Sequence, residues 1–224
     1  MRALAIGNGN DFDTGFVGHR FRQHGYVFTE CDREHPDEWP ALDGIDLVLT
    51  LGSEWHVYEP ATARLVEAEA ALLRDVVARD VPLFAICFGA QVLSHALGGT
   101  VDRLPVPVIG WIDVAVDGDG GIPAGPWMEW HHDVFTSPEG FVELARSDAG
   151  PELVRGGRGV ATQFHPEATE TMIARWLRMG GADQLRQEGG DPDALLAETR
   201  ANVELSGPRS AALVDWFLAL TDAS

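Results

Sequence analysis

The 224 residues predict an α/β fold, with a mostly parallel central sheet, helices on both faces and antiparallel strands added at one edge. Three observations carry this. Short apolar runs alternate with helical patterns through the first half, the order that builds parallel sheets. A long amphipathic segment, 60–80, lies between two such runs. The stretch 108–164 is richer in strand patterns and has no comparable helix, so its strands should pair antiparallel.

Each element has its own warrant. Strands are expected at Ala3–Ile6, Tyr26–Cys31, Leu47–Leu51 and Leu83–Ile86, then at Ile112–Val116, Val142–Ala145 and Val160–Phe164. Within 60–80, Leu65, Leu72 and Val76 line one helical face, with Val66, Leu73 and Val77 beside them and Pro60 near the start. A helix from Ala90 to Leu97 follows the strand Leu83–Ile86. After Glu167 the chain reads as helical: Thr169–Met179, stopped by Gly180-Gly181; a second helix capped by Asp191-Pro192 and ending near Val203; and a third over Pro208–Leu220. The expected organisation is one domain over 1–224, with a helical extension at about 168–224. That extension serves either to cover the sheet or to present a surface to a partner or a second copy of the chain.

Composition narrows the function classes. The formal net charge is −19, which argues against nucleic acid and against an anionic membrane surface as partners. All sixteen basic residues are arginine, so a P-loop lysine and Schiff-base chemistry are excluded. No apolar run approaches the roughly 20 residues of a membrane span. Two cysteines, Cys31 and Cys87, give no disulfide framework and fit a reducing cytoplasm. Cys31 closes the second strand and reads as inert packing.

The chemistry-bearing residues sit at the ends of the elements. Cys87 stands between the apolar strand Leu83–Ile86 and the next helix, with Gly89 expected to let the chain turn. A helix N-terminus beneath a sulfur favours its thiolate form. In Gln163-Phe-His-Pro-Glu167, Pro166 fixes the backbone between His165, a candidate base, and Glu167, a candidate partner for its ring. A cysteine, a histidine and a glutamate in these roles follow the logic of hydrolase triads. Gly52-Ser53 also follows a strand, so it can share a crevice with Cys87 beyond the strands' carboxyl ends.

In order along the chain, these motifs resemble the class I glutamine amidotransferases. Cys87, Gly89 and Gln91 match that family's nucleophile elbow, with Ala85 in place of its first glycine. Gly52-Ser53 stands where the family has a Gly-Gly-Pro loop, Ser53-Glu54 replacing the second glycine and the proline. Trp130-His131-His132-Asp133 resembles the family's Trp-His-Gly-Asp, and Ile109-Gly110-Trp111 its Glu-Ile-Gly-Trp, with Val108 replacing the acid. Within the family the nearest likeness is to the glutaminase domain of GMP synthase and to stand-alone proteins related to it.

The resemblance implies a flavodoxin-like three-layer sandwich and a Cys87-His165-Glu167 triad. It implies an oxyanion hole from Gly52, Ser53 and Phe88, and contacts to substrate from Gln91 and from His131 or Asp133. No metal or organic cofactor is implied. Adjacent His131 and His132 would point to opposite faces of a strand and make poor joint ligands. Trp55, His56 and Tyr58 are expected to wall the pocket. The implied reaction is hydrolysis of the glutamine side-chain amide through a γ-glutamyl thioester, with ammonia passed to a synthase subunit in trans. The alternative is a stand-alone γ-glutamyl peptide or conjugate hydrolase with the same triad. A third reading, a binding module with a decayed site, is opposed by the intact triad.

Overall fold

The computed structural model describes residues 1–9, 11–116 and 123–222. Its first half winds β1 (Arg2–Gly7), α1 (Gly15–Gln23), β2 (Val27–Asp32), β3 (Leu47–Thr50), α2 (Ala63–Ala78), β4 (Leu83–Ile86) and α3 (Phe88–Ala96). The second half adds β5 (Val101–Val116), β6 (Gly125–Phe135), β7 (Val142–Ser147), β8 (Gly150–Gly156) and β9 (Gly159–Thr162). The helices α4 (Glu170–Trp176), α5 (Ala182–Gln187) and α6 (Pro192–Asp222) follow.

The strands form one sheet in the order β2-β1-β3-β4-β9-β8-β7-β5-β6. The segment β2-β1-β3-β4-β9 is parallel throughout, and β8, β7, β5 and β6 extend it antiparallel. β3, β4 and β9 are buried along their whole length, as strands covered on both faces must be. One face packs on α2 and α3 through Leu4, Val48, Leu73 and Ala85. The other packs on α1 and α6 through Phe21, Leu49, Phe84 and Phe217. Phe84 and Phe217 meet edge to face with ring centroids 5.3 Å apart, a preferred aromatic geometry. This is the expected parallel core with an antiparallel edge, and Cys31 is buried within it, its thiol pushed by desolvation to about 11.

Several details differ from the sequence expectation. β5 begins at Val101, and β6 and β8 were not anticipated as strands. Their polar residues, among them Glu129, His131 and Glu152, face inward and erase the alternation that marks a strand. The stop expected at Gly180-Gly181 is present: Met179 (φ −82°, ψ +15°) and Gly180 (φ +115°) leave helical geometry, and α5 starts again at Ala182 directly beyond that kink. The two expected terminal helices are one, α6, with Pro208 inside it. Packing against α1, β5 and β6 outweighs the missing N–H of Pro208. The cap at its start is as expected, the Asp191 carboxylate accepting from the Asp193 N–H at 2.9 Å.

Candidate active site

Cys87 occupies the bend between β4 and α3 with φ +49° and ψ −108°. Among the described residues, Asp80 is the sole other non-glycine at positive φ. The turn is therefore made by the cysteine itself, not by Gly89 as the sequence suggested. Gly89 is required for space: a Cβ there would come 2.7 Å from the Thr50 carbonyl oxygen. The strained bend is held on both sides. The Cys87 N–H donates to the Thr162 carbonyl at 2.7 Å, and its carbonyl accepts from Gln91 N–H at 3.0 Å. Gln163 Nε2 approaches the sulfur at 3.6 Å.

His165 and Glu167 follow the end of β9. The His165 N–H donates to the Met128 carbonyl at 2.8 Å, which ties the loop to β6. Its Nδ1 lies 2.7 Å from Glu167 Oε1, and both side chains are buried. A carboxylate can only accept, so Nδ1 carries hydrogen and Nε2 is left for the Cys87 side. Burial alone would lower the pKa of His165. The Glu167 carboxylate and the Cys87 sulfur overcome that and hold it well above its usual value. Trp176 on α4 packs edge-on to the ring at 5.0 Å.

The loop after β3 completes the neighbourhood. A Cβ on Gly52 would sit 2.8 Å from His165 Cε1 and 3.6 Å from Cys87 Cβ, so Gly52 backbone lies directly against both groups. Ser53 lies outside the positive-φ region, so replacing a glycine there brings no left-handed strain. Phe88 opens α3, where N–H groups have no intrahelical acceptor.

Beneath this loop is an arginine the sequence reading passed over. Arg33, fully buried, donates to the carbonyls of Leu51 at 2.9 Å and Gly52 at 3.3 Å, and to Asn8 Oδ1 at 2.7 Å. It is neutralised by the equally buried Glu69 at 2.6 Å and lies over the Phe88 ring. An arginine just after a strand carries no local signal of such a role; its partner Glu69, on the buried face of α2, is the one clue.

Cys87, His165, Glu167, Gly52 and Ser53 line a cavity of about 360 Å³. Gln91 reaches it from α3, with its amide 3.3 Å from Gln163 Oε1. His131 lines it too, with Nδ1 2.8 Å from the Asp133 carbonyl. The Asp133 carboxylate is already taken, by His56 at 2.6 Å and Tyr58 at 2.8 Å. Met172, Trp176, Met179 and Gln184 of the C-terminal helices form the opposite wall. A nucleophile, an oriented base and apposed backbone amides around one cavity suit attack on a carbonyl.

The glutamine amidotransferase class-I family model matches residues 19–179, which include Cys87, His165 and Glu167. This chain belongs to the class I glutamine amidotransferases. It is 32% identical over 178 residues to the glutamine-hydrolysing GMP synthase of Aeropyrum pernix, covering 73% of this chain and 33% of that protein. The corresponding enzyme of Bdellovibrio bacteriovorus is 30% identical over 175 residues, covering 76% and 33%. The chain thus spans about a third of the length of these relatives. A glutamine amidotransferase of Thermotoga maritima superposes with a TM-score of 0.85 at 26% identity, covering 97% of this chain and 98% of that one. The family and the neighbours carry the flavodoxin-like three-layer fold expected above. Among the described residues no helix is long and apolar enough to cross a membrane.

Proposed function

We propose that this amidotransferase hydrolyses the side-chain amide of glutamine through a thioester on Cys87 and delivers the ammonia to a synthase subunit in trans. The observation that carries the reading is the meeting of Cys87, the His165–Glu167 pair and the Gly52 backbone in one cavity. The Cys87 sulfur attacks the amide carbon, and the oxyanion is held by N–H groups of Gly52 or Ser53 and Phe88. His165 takes the thiol proton and gives it to the departing ammonia, while Glu167 keeps Nδ1 protonated. A water deprotonated by His165 then attacks the thioester, releasing glutamate and restoring the thiol. Gln91 and His131 border the glutamyl moiety. Asp133 fits a supporting role better than direct contact, since His56 and Tyr58 occupy its carboxylate. The two unbridged thiols suit a reducing, cytoplasmic setting.

A second reading, hydrolysis of a γ-glutamyl conjugate, is favoured by the reach of the cavity past Cys87 to Met179 and Gln184. Glutamate release from glutamine and from γ-glutamyl amides and peptides separates the two. Turnover of a conjugate well above glutamine selects the second. Slow turnover of glutamine, accelerated by an added synthase, selects the first. Turnover that persists in Cys87→Ala refutes both.

A further inference from the structure

Behind the pocket wall lies a set of donor atoms that the triad does not use. Glu129 and His131 are two residues apart on β6 and therefore share a face. Glu152 reaches them from β8. All three are buried, and one ligand atom from each lies within 4.8 Å of the others. His131 Nδ1 faces the Asp133 carbonyl at 2.8 Å. A carbonyl can only accept, so Nδ1 bears the hydrogen and Nε2 presents a lone pair. That lone pair looks toward Glu129 Oε2 at 3.4 Å. His131 Nε2, both Glu129 oxygens and Glu152 Oε2 are buried and make no hydrogen bond among the described residues. With no donor among them, these four atoms need either shared protons or a cation between them.

The surroundings are those of a ligand set. A metal-binding histidine usually donates its other N–H to a carbonyl or carboxylate, and ligating carboxylates are themselves hydrogen-bonded. His131 does the first through Asp133. Glu152 does the second, its Oε1 accepting from Ser147 Oγ at 2.6 Å. We propose that Glu129, His131 and Glu152 bind a divalent cation. One imidazole and two carboxylates with no thiolate select Zn²⁺ or Mn²⁺ over softer ions. Bound there, the ion ties β6 to β8 one residue from Met128, whose carbonyl holds the His165 backbone. Its role is to brace the strand beside the base. The spacing argument that set aside His131 with His132 did not reach this set, because its other members lie on neighbouring positions of a strand and on a second strand.

The test uses the Cys87→Ala protein, which removes the thiol that lines the cavity. After treatment with a chelator and dialysis, the protein is titrated calorimetrically with ZnCl₂ and, separately, MnCl₂, and bound metal is counted after gel filtration. The expected result is one ion per chain. Glu129→Gln or Glu152→Gln in the same background should weaken binding by at least about 100-fold, and Ser147→Ala by about 10-fold. No stoichiometric binding overturns the proposal and leaves the cluster holding shared protons. So does binding that survives Glu152→Gln in a protein of unchanged circular dichroism. Should the glutamine variants fail to fold, Co²⁺ added to Cys87→Ala decides. A spectrum distinct from aqueous Co²⁺ and lost in His131→Asn supports the site, and one identical to the free ion refutes it.

Discussion

Replacing Gly52 by alanine should separate catalysis from stability. The added Cβ would stand 2.8 Å from His165 Cε1, and ordinary contact begins near 3.4 Å. The ring must therefore withdraw by roughly 0.6 Å. It cannot do so freely, because Glu167 holds Nδ1 at 2.7 Å and Trp176 packs edge-on at 5.0 Å. A displacement near 1 Å at a reacting group costs about 100-fold in rate. The expected loss in kcat is thus about 10- to 100-fold, equivalent to ~1.4–2.7 kcal/mol of barrier. Gly52 is not at positive φ, so the backbone itself accepts alanine. The natural comparison is Gly25→Ala. Gly25 has φ +84° and no atom within 4 Å of a built Cβ, so that change should cost about 1 kcal/mol of stability and leave kcat untouched. The assay is glutamate release beside urea unfolding. A Gly52→Ala enzyme with wild-type kcat would refute the placement of His165 as the base.

Other outcomes follow from the same geometry. Cys87→Ala and Cys87→Gly should both be inactive, yet the glycine variant should be the more stable by about 1–3 kcal/mol, because it relieves the strain at φ +49°; urea unfolding of the pair measures this. Arg33→Met leaves Glu69 buried and unpaired and should cost about 3–5 kcal/mol, part of which Arg33→Met with Glu69→Leu recovers. The folded pKa of His165 is raised, so its contribution to stability is full below about pH 6.5 and is lost as pH rises through the folded value. The stability gap between wild type and Glu167→Gln should therefore be widest in mildly acid solution and narrow toward alkaline pH. A gap that widens with pH would contradict the pairing.

Local sequence carried the parallel core, the bend at Cys87 and the His165–Glu167 pair because each obeys short-range rules. Leu83–Ile86 is an unbroken apolar run, as a doubly covered strand must be, and Cys87 marks its end. His165 and Glu167 lie two residues apart, so one motif contains the pair. What sequence did not disclose depends on inward-facing polar groups. Glu129, His131 and Glu152 hide the apolar alternation by which β6 and β8 would be delimited as strands, and Arg33 and Glu69, distant in sequence, neutralise each other only after folding. Pro208 suggested a boundary because propensity is local, whereas the continuity of α6 is decided by the sheet and helix it packs on. Ser53 suggested strain that the backbone does not require.

The Arg33 network has a further consequence. It grips the carbonyls of Leu51 and Gly52 from within the core, and Ser53 Oγ accepts from the Trp55 N–H at 3.2 Å, so the course of the loop is set from below and by its own first turn. Glu54, exposed at its outer edge, is thereby released from structural duty. As a cavity-lining side chain outside the proposed catalytic groups, Glu54 is the place to begin if the choice of substrate is to be redirected.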